Sequence, residues 1–166
     1  IMGPAYIGIP IFVREILIED FSVYARIEAI MAGGMIIGSL FYLVISKILR
    51  SIFILRLGIL FDGVTFALLY YSQSIFSMAF IIFFHGIAIP FIIVSRTTII
   101  QKIIPNKYLG RVFSMVHISV MGMAAISIIF TGLFLEFINI KIMFLIIGIC
   151  AALSILISFH HSIKNL

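Results

Sequence analysis

Charge is scarce in this sequence. Of 166 residues, 10% are Asp, Glu, Lys or Arg, against 64% apolar, and the mean hydropathy is +1.35. Soluble domains carry about a quarter charged residues, so a water-soluble core is not expected. Short segments that alternate apolar with polar residues are also missing, which argues against a membrane barrel. The single cysteine, Cys150, sits in an apolar run and can form no internal disulfide. It reads as packing that faces lipid or the core. No basic stretch precedes the first apolar run, so no cleavable signal peptide is expected. Paired aspartates, a His-Glu metal motif and a Ser-His-Asp set are all lacking. His160 and His161 adjoin near the end without a third ligand close in sequence. The expectation is therefore no enzyme, no cofactor and no metal.

What is present is a series of long apolar runs. Six helices of about 20 residues would use most of the chain. They are expected at about 1–14, 22–46, 52–72, 75–102, 111–135 and 139–160. The fold class is all-α, a polytopic membrane protein. The first run is too short to cross a hydrocarbon core of about 30 Å at about 1.5 Å per residue. The chain opens on Ile1, so a helix whose start is missing is expected.

The second run carries Ala29, Gly33, Gly34 and Gly38. Ala29 with Gly33, and Gly34 with Gly38, are small residues four apart. Such pairs let helix backbones approach closely in a membrane. The third run ends in YYSQS, residues 70–74, a polar turn with interfacial tyrosines. The fourth holds His85, Gly86 and Pro90, and a central proline removes a helical hydrogen bond and favours a kink.

The net charge of +5 does not point to nucleic acid, because the cations sit in short gaps between apolar runs. Lys47, Arg50, Arg56, Lys102, Lys107, Arg111 and Lys164 fall on one side of the expected topology. Arg14, Arg26 and Lys141 fall on the other, with Glu15, Glu19, Asp20, Glu28 and Glu136. The positive-inside rule puts the richer side, and the C-terminus, in the cytoplasm of a plasma-membrane protein.

The basic loop also carries a resemblance. QKIIPNKYLGRVFS, residues 101–114, resembles the loop between helices ten and eleven of major facilitator superfamily transporters. The branch it resembles is that of macrolide-efflux and siderophore-exporter-like proteins. GPAYIGIPIFVRE, residues 3–15, is similar to the end of helix seven, and GGMIIGSL, residues 33–40, to helix eight. The resemblance covers the chain as a C-terminal half, with the N-terminal six helices absent. VISKILR, residues 44–50, stands where the second copy of a cytoplasmic motif would lie, with Ser46 where that branch often has an acid.

The resemblance implies a secondary transporter, proton-coupled, that exports a small amphipathic molecule such as a drug or siderophore. Partners would be membrane lipids, the substrate and a complementary six-helix half. Helices seven, eight, ten and eleven would face a central cavity, and nine and twelve would be peripheral. The alternative is a half-protein that does not transport and serves as an assembly or interaction subunit.

Charges inside a membrane cost roughly 2.5–3.5 kcal/mol each on insertion scales. His85 and Arg96 are 11 residues apart, which places both on one helix face about 16 Å apart. With the resemblance, that face would line the cavity. His85 would bond substrate or take a proton, and Arg96 would attract an anionic substrate. The plainer readings are a histidine bonded to a neighbouring helix and an arginine that snorkels to the surface. His117, Tyr6, Phe84 and Met121 are further cavity candidates. Asp62 is either a coupling carboxylate or an ion-pair partner for Arg50, Arg56 or Lys102. Lys47, Arg50, Gln101, Pro105, Gly110 and Arg111 are expected to form a cytoplasmic loop and gate. Pro105 would stop one helix, and Gly110 would turn the chain into the next.

Overall fold

A computed structural model describes residues 3–159. Ile1, His160, His161 and Lys164 lie outside the described residues. The chain is all-helical over that range. A π-helical turn, Pro4–Gly8, leads into α1 (Ile9–Glu15). Then follow α2 (Phe21–Ile45), α3 (Ser51–Leu68), α4 (Ile75–Ile103), α5 (Leu109–Leu135) and α6 (Ile140–Leu153). The ends of α3 and α6 tighten into 3-10 turns, Leu69–Tyr71 and Ser154–Phe159. Among the described residues, four helices are long and apolar enough to cross a membrane: those containing α2, α3, α4 and α5. The last apolar helix, Ile140–Leu156, is shorter.

Local chemistry explains the breaks. Ser74 caps α4: its hydroxyl accepts from the Ser77 amide at 3.2 Å, and the Ser77 hydroxyl accepts from the Ser74 amide at 3.1 Å. Ser72 joins through its hydroxyl, 2.9 Å from that of Ser77. Asn139 caps α6 by accepting from the Lys141 amide at 2.9 Å. At the other end of α4, Ile104 is extended (ψ 127°) ahead of Pro105, the conformation a following proline demands. Gly110 does not make the turn expected of it. It lies inside α5, and no glycine among the described residues has a positive φ. The turn is complete at Pro105 and the 3-10 residues Asn106–Tyr108. Helix α4 continues unbroken through Pro90.

Helix α4 organises the bundle. It packs along α2 on one side and α3 on another, and α3 in turn packs along α6. The α2–α4 crossing is backbone to backbone. A Cβ at Gly34 would overlap the Phe83 carbonyl, one at Gly86 the Met31 carbonyl, and one at Gly38 the Ile87 carbonyl. Of the two small-residue pairs, Gly34 with Gly38 is the one used. Gly33 has nothing within 4 Å, and Ala29 is exposed. A second close crossing joins α3 to α6, where Gly63 meets Ala152 and Gly148 meets Ala67.

The apolar core gathers at one end of the bundle. Phe12 of α1, Phe66 of α3 and Phe144 of α6 are fully buried there, with Phe66 and Phe144 rings edge-on at 5.1 Å. Helix α5 stands apart. Its attachments are to the N-terminal turn and, more thinly, to α6. The Gly3 amide donates to the Ser127 hydroxyl at 3.1 Å, and Ala124 and Thr131 are its buried positions.

The glycine contacts are testable. Gly34→Leu is expected to destabilise the chain by about 1–3 kcal/mol or more through overpacking. Gly33→Leu, one residue away, is expected to cost under about 0.5 kcal/mol. Detergent-titrated unfolding followed by circular dichroism measures both. Equal losses would mean that α2 meets α4 along another face.

Candidate functional site

Among the described residues, two polar side-chain contacts join one span to another: a long one between Tyr42 of α2 and Thr98 of α4, 3.5 Å apart, and a buried group between α3 and α4. His85 is 4% exposed, and its Nδ1 lies 3.3 Å from Asp62 Oδ1. The Thr65 hydroxyl is also 3.3 Å from Nδ1. That hydroxyl already faces the Phe61 carbonyl at 2.8 Å and the Asp62 carbonyl at 3.0 Å. It spends its hydrogen on the backbone and is left as an acceptor for the ring. One proton between Nδ1 and Oδ1 satisfies the contact, carried by the ring or by the carboxyl. The Phe66 ring packs against the imidazole at 5.4 Å and continues into the apolar core. Water is thereby kept from one side of the pair.

Helix periodicity builds this arrangement. Asp62, Thr65 and Phe66 fall within about one turn of α3, on a shared face. Gly63 lies between them and faces α6, so α3 is held from behind while it presents the carboxylate to α4. One residue after His85, Gly86 touches α2. The polar contact to α3 and the closest approach to α2 are thus adjacent in sequence.

Asp62 therefore differs from the ion pair expected of it with Arg50, Arg56 or Lys102. It lies 11 residues into α3, about 16 Å from the helix start. It is held to the imidazole of α4 instead. His85 follows the plainer of its two readings, a histidine bonded to a neighbouring helix: it points into the α3–α4 contact and does not stand on an open face with Arg96, which is half-buried near the end of α4. The remaining cavity candidates are dispersed. Tyr6 is exposed on the N-terminal turn. Phe84 stacks edge-on with Phe61 at 6.3 Å and lines an apolar groove of about 450 Å³ between α3 and α4. His117 and Met121 are exposed on α5. Lys47, Arg50, Gln101, Pro105, Gly110 and Arg111 are all exposed around the α2–α3 and α4–α5 links. Cys150 is exposed on α6.

Thr65 and Phe66 were not singled out from sequence. The signal available was a threonine three residues after the only carboxylate in the run. Ser95 was missed as well. Its hydroxyl is fully buried on α4 without a hydrogen-bond partner, at a cost of about 1–3 kcal/mol for such a group. Among the described residues, no cluster of three or more His, Cys, Asp or Glu can hold a metal ion. Comparison with protein-family models, curated proteins and solved structures finds no match to this chain.

The Asp62–His85 contact is checked by a double-mutant cycle. Asp62→Asn and His85→Gln are each expected to destabilise, with a coupling of about 1 kcal/mol between them, near the upper part of the range for polar pairs in membranes. A coupling of zero in detergent-titrated unfolding would show that the two groups do not interact.

Proposed function

We propose that this chain is one helical half of a secondary active transporter of the major facilitator type, driven by protons, that exports a small amphipathic molecule. The observation that carries this reading is the buried Asp62–His85 pair. A purely structural contact between α3 and α4 would be as stable, or more so, if built from apolar side chains. An intramembrane carboxylate held against an imidazole is best explained by use of its proton. When the pair takes up a further proton, the contact changes from one that shares a single proton to one between two protonated groups, and the hydrogen bonding that holds α3 to α4 at that level changes with it. Proton occupancy then alters helix packing, which is what coupling requires.

The helix arrangement supports the same reading. Helices α3 and α6 pack on each other, and α2 makes no extensive contact with either. The resemblance gives its helices nine and twelve that peripheral place. Arg96, His117 and Met121 are the groups proposed for the substrate, with Lys47, Arg50, Gln101, Pro105, Gly110 and Arg111 as cytoplasmic loop and gate. A second reading, a half-protein that assembles with others and transports nothing, is favoured by the open surface of α5. Only 6% of its apolar stretch is buried inside the bundle, against 33% for α3 and α4.

Dye efflux from vesicles under an imposed pH gradient separates these readings. Vesicles holding this chain alone at monomer dilution are expected to show no proton-coupled efflux. Adding a complementary six-helix half is expected to give efflux that Asp62→Asn abolishes. If such efflux survives Asp62→Asn, the pair is structural. If no half ever yields efflux, the assembly reading stands. In the active complex, Arg96→Gln is expected to weaken anionic substrates more than cationic ones. Equal loss for both would assign Arg96 to structure.

A further inference from the structure

We propose that the cleft between the start of α3 and the end of α4 is a binding site for the phosphate of an anionic membrane lipid. The cleft is about 260 Å³. Arg50, Ser51 and Ile52 line it from one helix, and Ile99, Lys102 and Ile103 from the other. This site is separate from the Asp62–His85 pair and does not depend on transport.

Charge is the first argument. Two cations converge on the cleft, and no carboxylate lines it. Glu15, Glu19, Asp20 and Glu136 belong to the opposite helix ends, at the α1–α2 and α5–α6 links, and Glu28 lies two turns into α2 from that same side. Asp62 is turned to His85. Among the described residues, no carboxylate is placed to serve Arg50 and Lys102.

Hydrogen-bonding capacity is the second. The first turn of α3 contains no acid, and its start has no side-chain cap. The Phe53 and Ile54 amides already bond the Arg50 carbonyl at 2.9 and 3.2 Å. The Ser51 and Ile52 amides precede them and have no helical acceptor, as is general for the first residues of a helix. Together with the Ser51 hydroxyl and the Arg50 guanidinium, they form a set of donors suited to phosphate oxygens.

The third argument selects a lipid over a free anion. Ile52, Ile99 and Ile103 form half of the lining. Inorganic phosphate has no use for an apolar wall, whereas the glycerol and acyl portion of a phospholipid does. The cleft also stands where two apolar spans begin and end, at Ser51 and Ile103, the level at which headgroup phosphates lie. Basic recesses between membrane helices at this depth suit anionic headgroups.

The test uses the full chain in detergent micelles, titrated with phosphatidylglycerol or phosphatidylcholine, with retained lipid counted by native mass spectrometry. Phosphatidylglycerol is expected to be retained in preference to phosphatidylcholine. Each cleft cation removed is expected to cost about fivefold. Lys102→Gln should show that loss, and Lys107→Gln, a loop cation outside the cleft, should show none. Arg50→Gln with Lys102→Gln should bring phosphatidylglycerol down to the level of phosphatidylcholine. Arg50→Lys with Lys102→Arg, which keeps both charges and controls for folding, should retain the preference. Equal loss for Lys102→Gln and Lys107→Gln would overturn the site in favour of diffuse surface attraction. Displacement of the lipid by millimolar inorganic phosphate would assign the cleft to a free anion. Equal retention of both lipids by the unaltered chain would also overturn the proposal.

Discussion

Close backbone approach at glycine holds this bundle together. Between helices in lipid there is no hydrophobic drive, so packing and polar contact must hold them. Gly34 and Gly86 bring α2 and α4 into direct backbone contact, and Gly63 and Gly148 do the same for α3 and α6. A side chain at any of the four would push its helices apart. Helix α4 also carries His85 beside Gly86, so the tight crossing fixes how the imidazole is offered to α3. The Asp62 contact inherits its geometry from the glycines.

The same constraint makes the polar pair conspicuous. Most side chains between α3 and α4 are apolar, and the pair is the exception, with Thr65 completing its hydrogen bonding and Phe66 sealing it toward the core. Pro90 adds to the local character of α4. It has no amide hydrogen to give the Gly86 carbonyl, so the residue that touches α2 most closely also lacks one helical bond. The middle of α4 thus combines its tightest packing with its weakest internal hydrogen bonding.

Much of the architecture was legible because the signals are local. Apolar runs long enough to span, the polar turn at residues 70–74 and the proline that stops α4 all act within a few residues. The choice of packing face was not legible. Gly33 and Gly34 are neighbours of identical type, and only the crossing with α4 selects between them. The partner of Asp62 was missed for a related reason. Nearness in sequence favoured the cations at the helix end, but the antiparallel register of α3 and α4 sets that carboxylate against the middle of the next helix. Gly110 was misread because Pro105 had already turned the chain. The convergence of Arg50 and Lys102 on one cleft is likewise a matter of register, since α3 and most of α4 lie between two residues that meet only after folding.

The thin attachment of α5 bears on the order in which the bundle is built. Helices α2, α3 and α4 follow one another through short links, and α4 can pair with both of its predecessors as it emerges. Helix α6 then docks on α3, its close contacts at Gly63 and Gly148 closing across the whole of α4 and α5. Contacts so distant along the chain are slow to form. Synthesis order and packing order therefore part company: α5 is made before α6 but contributes little to the surface on which α6 settles.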